Sequence, residues 1–298
     1  MDQLVTAEWL IQHLYDSHVV VVDIRGSVTS EDLGDGRQRA TYAGHPQDYA
    51  KGHIPGSVFI DWTRDIVDLN ADVKAQVASP EVFARAMEER GIGNDSHVVV
   101  VDDIGGHLAT RLWWALRYMG HDDVSVLEGG YSAWRAIGGA MTSEPTEPRS
   151  DATFVPAVRP DLRMEWQDVL NIMKAGGAQI VDTRDAAAFS GETQRGSRGG
   201  HVPGAVNLPA KSMVNDDGSW KPADVIRQLA IDAGVDVEQP IVAYCNGGVT
   251  ATQAIFGLQR AGARSLTNYD GSWNEWGERF DLPVEGDRDL FNLRDSRA

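Results

Sequence analysis

The chain has one cysteine, Cys245, set in Ile241-Val-Ala-Tyr-Cys-Asn-Gly-Gly-Val-Thr-Ala-Thr252. Four mostly apolar residues precede it, and Gly247 and Gly248 follow within three positions. Residues 241–244 suit a buried strand, and 250–262 suit a helix that places Ala254, Ile255, Leu258 and Ala261 on one side. Asn246, Gly247, Gly248, Val249 and Thr250 then form a strand-to-helix loop at the positive end of a helix dipole. Thr250 or Thr252 is expected to cap that helix and Gly262 to close it. Asn and Gly accept the left-handed backbone angles that turn consecutive amides inward as an anion nest. Such a loop favours charge on sulfur, and it would also hold a sulfur anion one atom further out. A free cysteine is ordinarily a small buried hydrophobe. The glycines and the helix start argue here for a nucleophile.

The elements that must position this loop are written twice. "VVVDIR" (20–25) recurs as "QIVDTR" (179–184), and "GHIPGSVFID" (52–61) recurs as "GHVPGAVNLP" (200–209). Residues 99–134 overlay 241–276 without a gap, so Gly105 and Gly106 fall on Gly247 and Gly248, and Trp134 falls on Trp276. Three matches in one order mark a duplicated domain. The position of Cys245 is held in the first copy by Asp103, which cannot act as that nucleophile. The expected division is a catalytically inert domain over 1–140, an extended Pro-containing linker over 141–161, and an active domain over 162–298.

Short β-rich runs at 19–22, 57–60, 98–101 and 124–127 alternate with helical patterns at 7–15, 80–90 and 109–119. The second half repeats this with strands near 179–182, 205–208, 241–244 and 266–269 and helices near 165–175, 222–233 and 250–261. This rhythm predicts an α/β fold of two similar domains, each a mainly parallel sheet with helices on both faces. Ligands of such sheets bind beyond the carboxyl ends of the strands, where Cys245 would sit.

The 298 residues carry a net charge of −17. That field repels nucleic acid and anionic membranes, so neither is expected as a partner. An anionic substrate would need local donors to overcome it. One cysteine permits no intrachain disulfide, which fits a reducing, cytoplasmic setting. The first 18 residues carry internal acids and no basic flank, and read as a first helix rather than a signal peptide. No spacing suits zinc ligands and no glycine fingerprint suits a nucleotide, so no cofactor or metal is expected.

Three further pairs of residues bear on chemistry at Cys245. Asp182 and Arg184 end a strand expected beside that of Cys245, where Arg184 could supply positive charge; Asp23 and Arg25 repeat the pair, which favours a structural role. Arg195 and Arg198 lie in the Gly-rich "GETQRGSRGGH" (191–201), where a guanidinium could hold an anion in a bidentate fork. His53 and His201 open two matching turns, again a structural signature; His is also the side chain best suited to donate a proton at neutral pH, which leaves His53 a candidate supporting role.

With these motifs in hand, the chain resembles the tandem rhodanese-type sulfurtransferases, which comprise thiosulfate and 3-mercaptopyruvate sulfurtransferases. The resemblance covers roughly residues 4–285. It implies that Cys245 carries a persulfide cradled by the amides of Asn246 to Thr250. It also implies a small-molecule sulfur donor, thiosulfate or 3-mercaptopyruvate, and a thiol or cyanide acceptor. Asn246-Gly247-Gly248 matches neither the basic residues of thiosulfate-preferring members nor the Gly-Ser-Gly of mercaptopyruvate-preferring ones. Ala188 stands where members often carry an anion-binding arginine; a second family arginine is matched by Arg195, or by Arg198 if the loop shifts. The implied reaction takes thiosulfate as donor, with 3-mercaptopyruvate as the alternative. A sulfur-carrier module with little turnover is the lesser alternative. A cysteine-dependent phosphatase would need an arginine at position 251, which is Ala251.

Overall fold

The computed structural model describes residues 3–286. The ends of the two expected domains, 1–2 and 287–298, lie outside the described residues. Two five-stranded sheets form, and every strand pair in them is parallel. The first runs in the order Leu4–Val5, Val124–Leu127, His97–Val101, Val19–Asp23, Val58–Phe59. The second runs Arg163–Met164, Leu266–Tyr269, Ile241–Tyr244, Gln179–Asp182, Val206–Asn207. Matched repeats thus occupy matched places. Central strands such as "HVVVV" and "IVAY" are buried at every residue, as a sheet covered on both faces requires.

Helices form near the expected positions: Ala7–His13, Pro80–Glu88, His107–Tyr118, Trp166–Ala175, Ala223–Asp232 and Val249–Arg260. The last of these ends before Gly262, whose φ of +106° suits glycine alone. Between the two halves, His107–Tyr118 packs on Val249–Arg260. Thr110 and Thr252, which are equivalent in the repeat, meet there with hydroxyls 3.5 Å apart. The Trp113 and Phe256 rings meet edge to face at 5.0 Å. One hydrophobic cluster runs through both sheets, from Val22 and Val100 to Ile241 and Phe256. Residues of the 141–161 segment lie along the first half: Thr142 pairs with His53, Ala157 N–H donates to Met119 O, and Phe154 is buried near Phe83.

A third sheet has no counterpart in the expected pattern. Gly26–Gly34 and Arg37–Gly44 form an antiparallel hairpin that turns through Asp35 and Gly36, both at positive φ. Gln194–Arg195 of the second half then adds to it in parallel, opposite Arg37 and Gln38. An arm of the first half is thereby fixed across to the second. No helix among the described residues is long and apolar enough to cross a membrane.

A core shared by both halves should unfold as a unit. Phe256→Ala is expected to lower stability by about 3–5 kcal/mol, with one urea transition seen by both tryptophan fluorescence and circular dichroism. Two separated transitions would show that the halves are held by independent cores.

Candidate active site

Cys245 follows the strand Ile241–Tyr244 and is 2% exposed. Its amide and that of Gly248 both donate to Ser272 Oγ, at 3.1 and 3.0 Å, and the Ser272 hydroxyl donates onward to Tyr269 O at 2.7 Å. Trp273 N–H donates to Cys245 O and Asn274 N–H to Asn246 O. The loop is thus bound to the turn after the neighbouring strand. Ser272 sits at φ +53°, and its repeat partner Gly130 sits at +52°. The two halves share the left-handed conformation, which costs strain only at Ser272 and there places a side chain that can hydrogen-bond.

The expected threonine cap does not form. Gly248, at φ +72°, occupies the N-cap position with no side-chain cap, and a Cβ there would lie 2.6 Å from Asp270 O. Thr250 Oγ1 instead lies 2.9 Å from His107 Nε2, and Thr252 Oγ1 donates to Val249 O. Consequently the amides of Asn246, Gly247, Val249, Thr250 and Ala251 have no protein acceptor among the described residues. The first half shows what this backbone holds. There the Asp102 carboxylate accepts from the amides of Ile104, Gly106, Leu108 and Ala109 at 2.8–3.2 Å. The repeat places Tyr244 at the position of Asp102, so the second loop has no such carboxylate of its own.

The first half grips this loop directly. Arg111, fully buried, donates to Gly248 O at 3.2 Å, to Asp270 Oδ1 at 2.6 Å and to Ala75 O at 2.7 Å. Asp270 Oδ2 accepts from Val77 N–H. Gln253, the repeat partner of Arg111, makes the reciprocal bond to Gly105 O at 2.8 Å. Beside the loop, a cavity of about 460 Å³ opens between the hairpin and the second half, lined by Tyr42, Lys74, Arg195, Asn274 and Glu278 among others. A Cβ at Gly247 would lie 2.9 Å from Asn274 Nδ2 and 3.5 Å from Tyr42 Oη. Glycine at 247 therefore leaves room between the loop and the cavity wall.

The expected supporting residues are distributed unevenly. Arg184 is buried, forks onto Asp182, donates to Gly200 O and stacks on Trp273 at 4.6 Å. Burial pulls its guanidinium down, but the Asp182 charge overrides this and raises it, with Cys245 among the groups that add to the rise. Arg25 makes the same set of contacts with Asp23, Gly52 O and Tyr131, so the arrangement is first of all a fold element. Arg195 lines the cavity, bonded to Ser30 Oγ. Arg198 is turned inward onto the carbonyls of Gly277, Leu282, Trp276 and Arg279 and secures the segment after the last helix. His53 stacks on Tyr49 with its ring nitrogens 2.8 and 3.1 Å from Tyr49 O and Glu144 O, and the structure does not bring it to the loop. Among the described residues, no group of three His, Cys, Asp or Glu could hold a metal ion.

Sequence reasoning missed Ser272, Arg111, His107, Tyr42 and Asn274. For the first three a signal existed, because each differs from its repeat partner: Ser272 from Gly130, Arg111 from Gln253, His107 from Val249. Positions where the halves diverge mark the work that only one half does. Tyr42 lies in the unforeseen hairpin, and Asn274 falls on the equally polar Ser132.

Residues 6–137 and 165–279 each match the Rhodanese-like domain. The chain belongs to the rhodanese family. Among its rhodanese relatives, the 3-mercaptopyruvate sulfurtransferase of Escherichia coli K12 is 34% identical over 284 residues, covering 94% of this chain and 97% of the relative. The thiosulfate sulfurtransferase of Gallus gallus is 34% identical over 236 residues, covering 78% of this chain and 81% of the relative. A solved 3-mercaptopyruvate sulfotransferase structure from Escherichia coli superposes with a TM-score of 0.80 at 33% identity, covering 92% of this chain and 99% of that one. These relatives are transferases of sulfur, and two rhodanese domains in tandem account for the duplicated sheets.

Two predictions follow from the geometry of the loop. Ser272→Gly keeps the backbone angle and strands two buried amides, which costs about 1–3 kcal/mol; we expect a stability loss of that size and a fall of about tenfold or more in sulfur-transfer kcat/KM. Unchanged kinetics would show that the hydroxyl does not order the loop. His107 is pushed from 6.5 down to about 4, by burial and then by the Arg195 charge. The unfolded chain takes up that proton below about pH 6.5 and the folded one only near 4, so stability falls as pH drops through this window. His107→Gln should flatten the denaturation midpoint between those limits; an equal slope in both proteins would contradict the assignment.

Proposed function

We propose that this chain is a sulfurtransferase that moves a sulfane sulfur from thiosulfate to cyanide or a thiol through a persulfide on Cys245. The observation that carries this reading is a buried cysteine in a loop where the amides of Asn246, Gly247, Val249, Thr250 and Ala251 have no protein acceptor among the described residues. The Cys245 thiolate attacks the outer sulfur of thiosulfate, the sulfur–sulfur bond breaks, and sulfite leaves with its electron pair. The amides of Asn246, Gly247, Val249 and Thr250 then serve the outer sulfur of the persulfide, while that of Gly248 stays on Ser272 Oγ. An acceptor thiolate or cyanide attacks that sulfur, and Cys245 departs as thiolate. The cycle is ping-pong and redox-balanced, and no cofactor takes part.

Arg184, fixed by Asp182, contributes positive charge behind the sulfur, and Arg195 faces the donor anion across the cavity. Arg198, with its donors spent on carbonyls, supports the fold of the loop's surroundings rather than the donor. The single thiol suits a reducing cytoplasm. A second reading, 3-mercaptopyruvate as donor, is favoured by the Tyr42 hydroxyl bordering the cavity at Gly247. A carrier with little turnover would load Cys245 but release sulfur slowly to small acceptors.

Cys245→Ser should abolish transfer to cyanide while leaving circular dichroism and the unfolding midpoint close to those of the parent. Intact mass after exposure to thiosulfate should rise by one sulfur in the parent only. Substantial turnover by the serine variant, or equal sulfur uptake by both proteins, would defeat the reading.

A further inference from the structure

Sulfite departs from thiosulfate as a stable anion, but a 3-mercapto-2-oxo acid that loses its sulfur leaves an enolate. The electron pair of the broken carbon–sulfur bond passes to that fragment, and a proton must follow. The loop amides can hydrogen-bond to an oxyanion but cannot give up a proton. Arg195 and the Asn274 amide are equally unable to do so. His107 already uses Nε2 on Thr250, and burial keeps it neutral at physiological pH.

Lys74 also lines the cavity, but it is its backbone carbonyl that approaches Gly247; Tyr42 is differently equipped. Its Oη lies 3.5 Å from Asn274 Nδ2 and 3.5 Å from the point where a Gly247 Cβ would stand. It lines the 460 Å³ cavity together with Asn274, whose backbone amide is bonded to the loop at Asn246 O. Its ring is held by Trp62 at 5.4 Å, its strand is paired through Val28, and Trp62 Nε1 donates to the adjacent Ala43 O. Burial raises the phenol above its ordinary value, so it keeps its proton at neutral pH.

We propose that Tyr42, delivered by the first half, is a catalytic acid for keto-thiol donors and protonates the enolate released when a 3-mercapto-2-oxo acid gives its sulfur to Cys245. This rests on the persulfide reading above. In the balanced step the Cys245 thiolate bonds to the donor sulfur and the carbon–sulfur bond breaks. Tyr42 Oη–H gives its proton to the enolate, which leaves as the 2-oxo acid. The donor's own thiol proton, now on the outer sulfur of the persulfide, or a solvent proton restores the phenol. Nothing is oxidised beyond the transfer of the sulfur itself.

The test is single-turnover loading of Cys245, followed by intact mass, with 3-mercaptopyruvate and with thiosulfate in parent and Tyr42→Phe. The ratio of the mercaptopyruvate rate to the thiosulfate rate should fall at least about tenfold in the variant, as the loss of a general acid predicts. Because the ratio is internal to each protein, a smaller fraction of folded or loadable protein cannot produce it. An unchanged ratio overturns the proposal, as does a parent that thiosulfate loads and mercaptopyruvate does not; either result leaves the thiosulfate reading standing. Failure of both donors to load the parent overturns the persulfide reading and the proposal together.

Discussion

A glycine in the left-handed conformation at 248 starts the helix Val249–Arg260 without a capping side chain. A helix leaves its first amides without intrahelical partners, and they must find acceptors or water. In the first half the same backbone, with Gly106 at φ +80°, spends those amides on the buried carboxylate of Asp102. In the second half they are left open beside Cys245. The duplicated fold thus contains its own reference state. One copy has a nest filled by an acceptor of the protein's own, and the other has a nest that an anion on sulfur can fill. This local arrangement answers the global field of −17. On the proposed reading, the amides, Arg184 and Arg195 act at short range in a partly desolvated site, where local donors outweigh diffuse surface charge screened by salt.

An open nest is costly to keep in shape, and the surroundings of the loop show how it is kept. Ser272 ties two of its amides to the next strand's turn. Arg111 reaches from the first half to hold Gly248 O, Asp270 and Ala75 O together. A buried guanidinium is expensive to desolvate; its Nη1 and Nη2 are matched here across the two halves, on Gly248 O, Asp270 and Ala75 O. The first half therefore contributes packing, an arginine clasp and a hairpin wall to the site, although Asp103 stands at its own cysteine position.

Much of this was legible in the sequence. Continuous valine runs, ungapped repetition and glycines at fixed offsets led directly to two matching parallel sheets with Cys245 beyond a strand end. The hairpin Gly26–Gly34 with Arg37–Gly44 was not legible in the same way. Its strands are largely exposed and polar, so they lack the apolar runs that marked the others, although Asp35-Gly36 is a turn signal. The threonine cap failed because a left-handed glycine already filled that place. Arg198 was misleading because arginine in a polar loop suggests a substrate anion, whereas the fold turns it inward onto four carbonyls. His53 and Arg184 make contacts that their repeat partners His201 and Arg25 also make.

The central claim is that the unclaimed amides around Cys245 hold the transferred sulfur. A crystal structure of the chain loaded with thiosulfate tests it most directly. The account predicts a second sulfur on Cys245, turned into the loop and within hydrogen-bonding distance of amides between Asn246 and Ala251. A sulfur on Cys245 pointing away from those amides, or a water or side chain filling the nest in the loaded state, would contradict it.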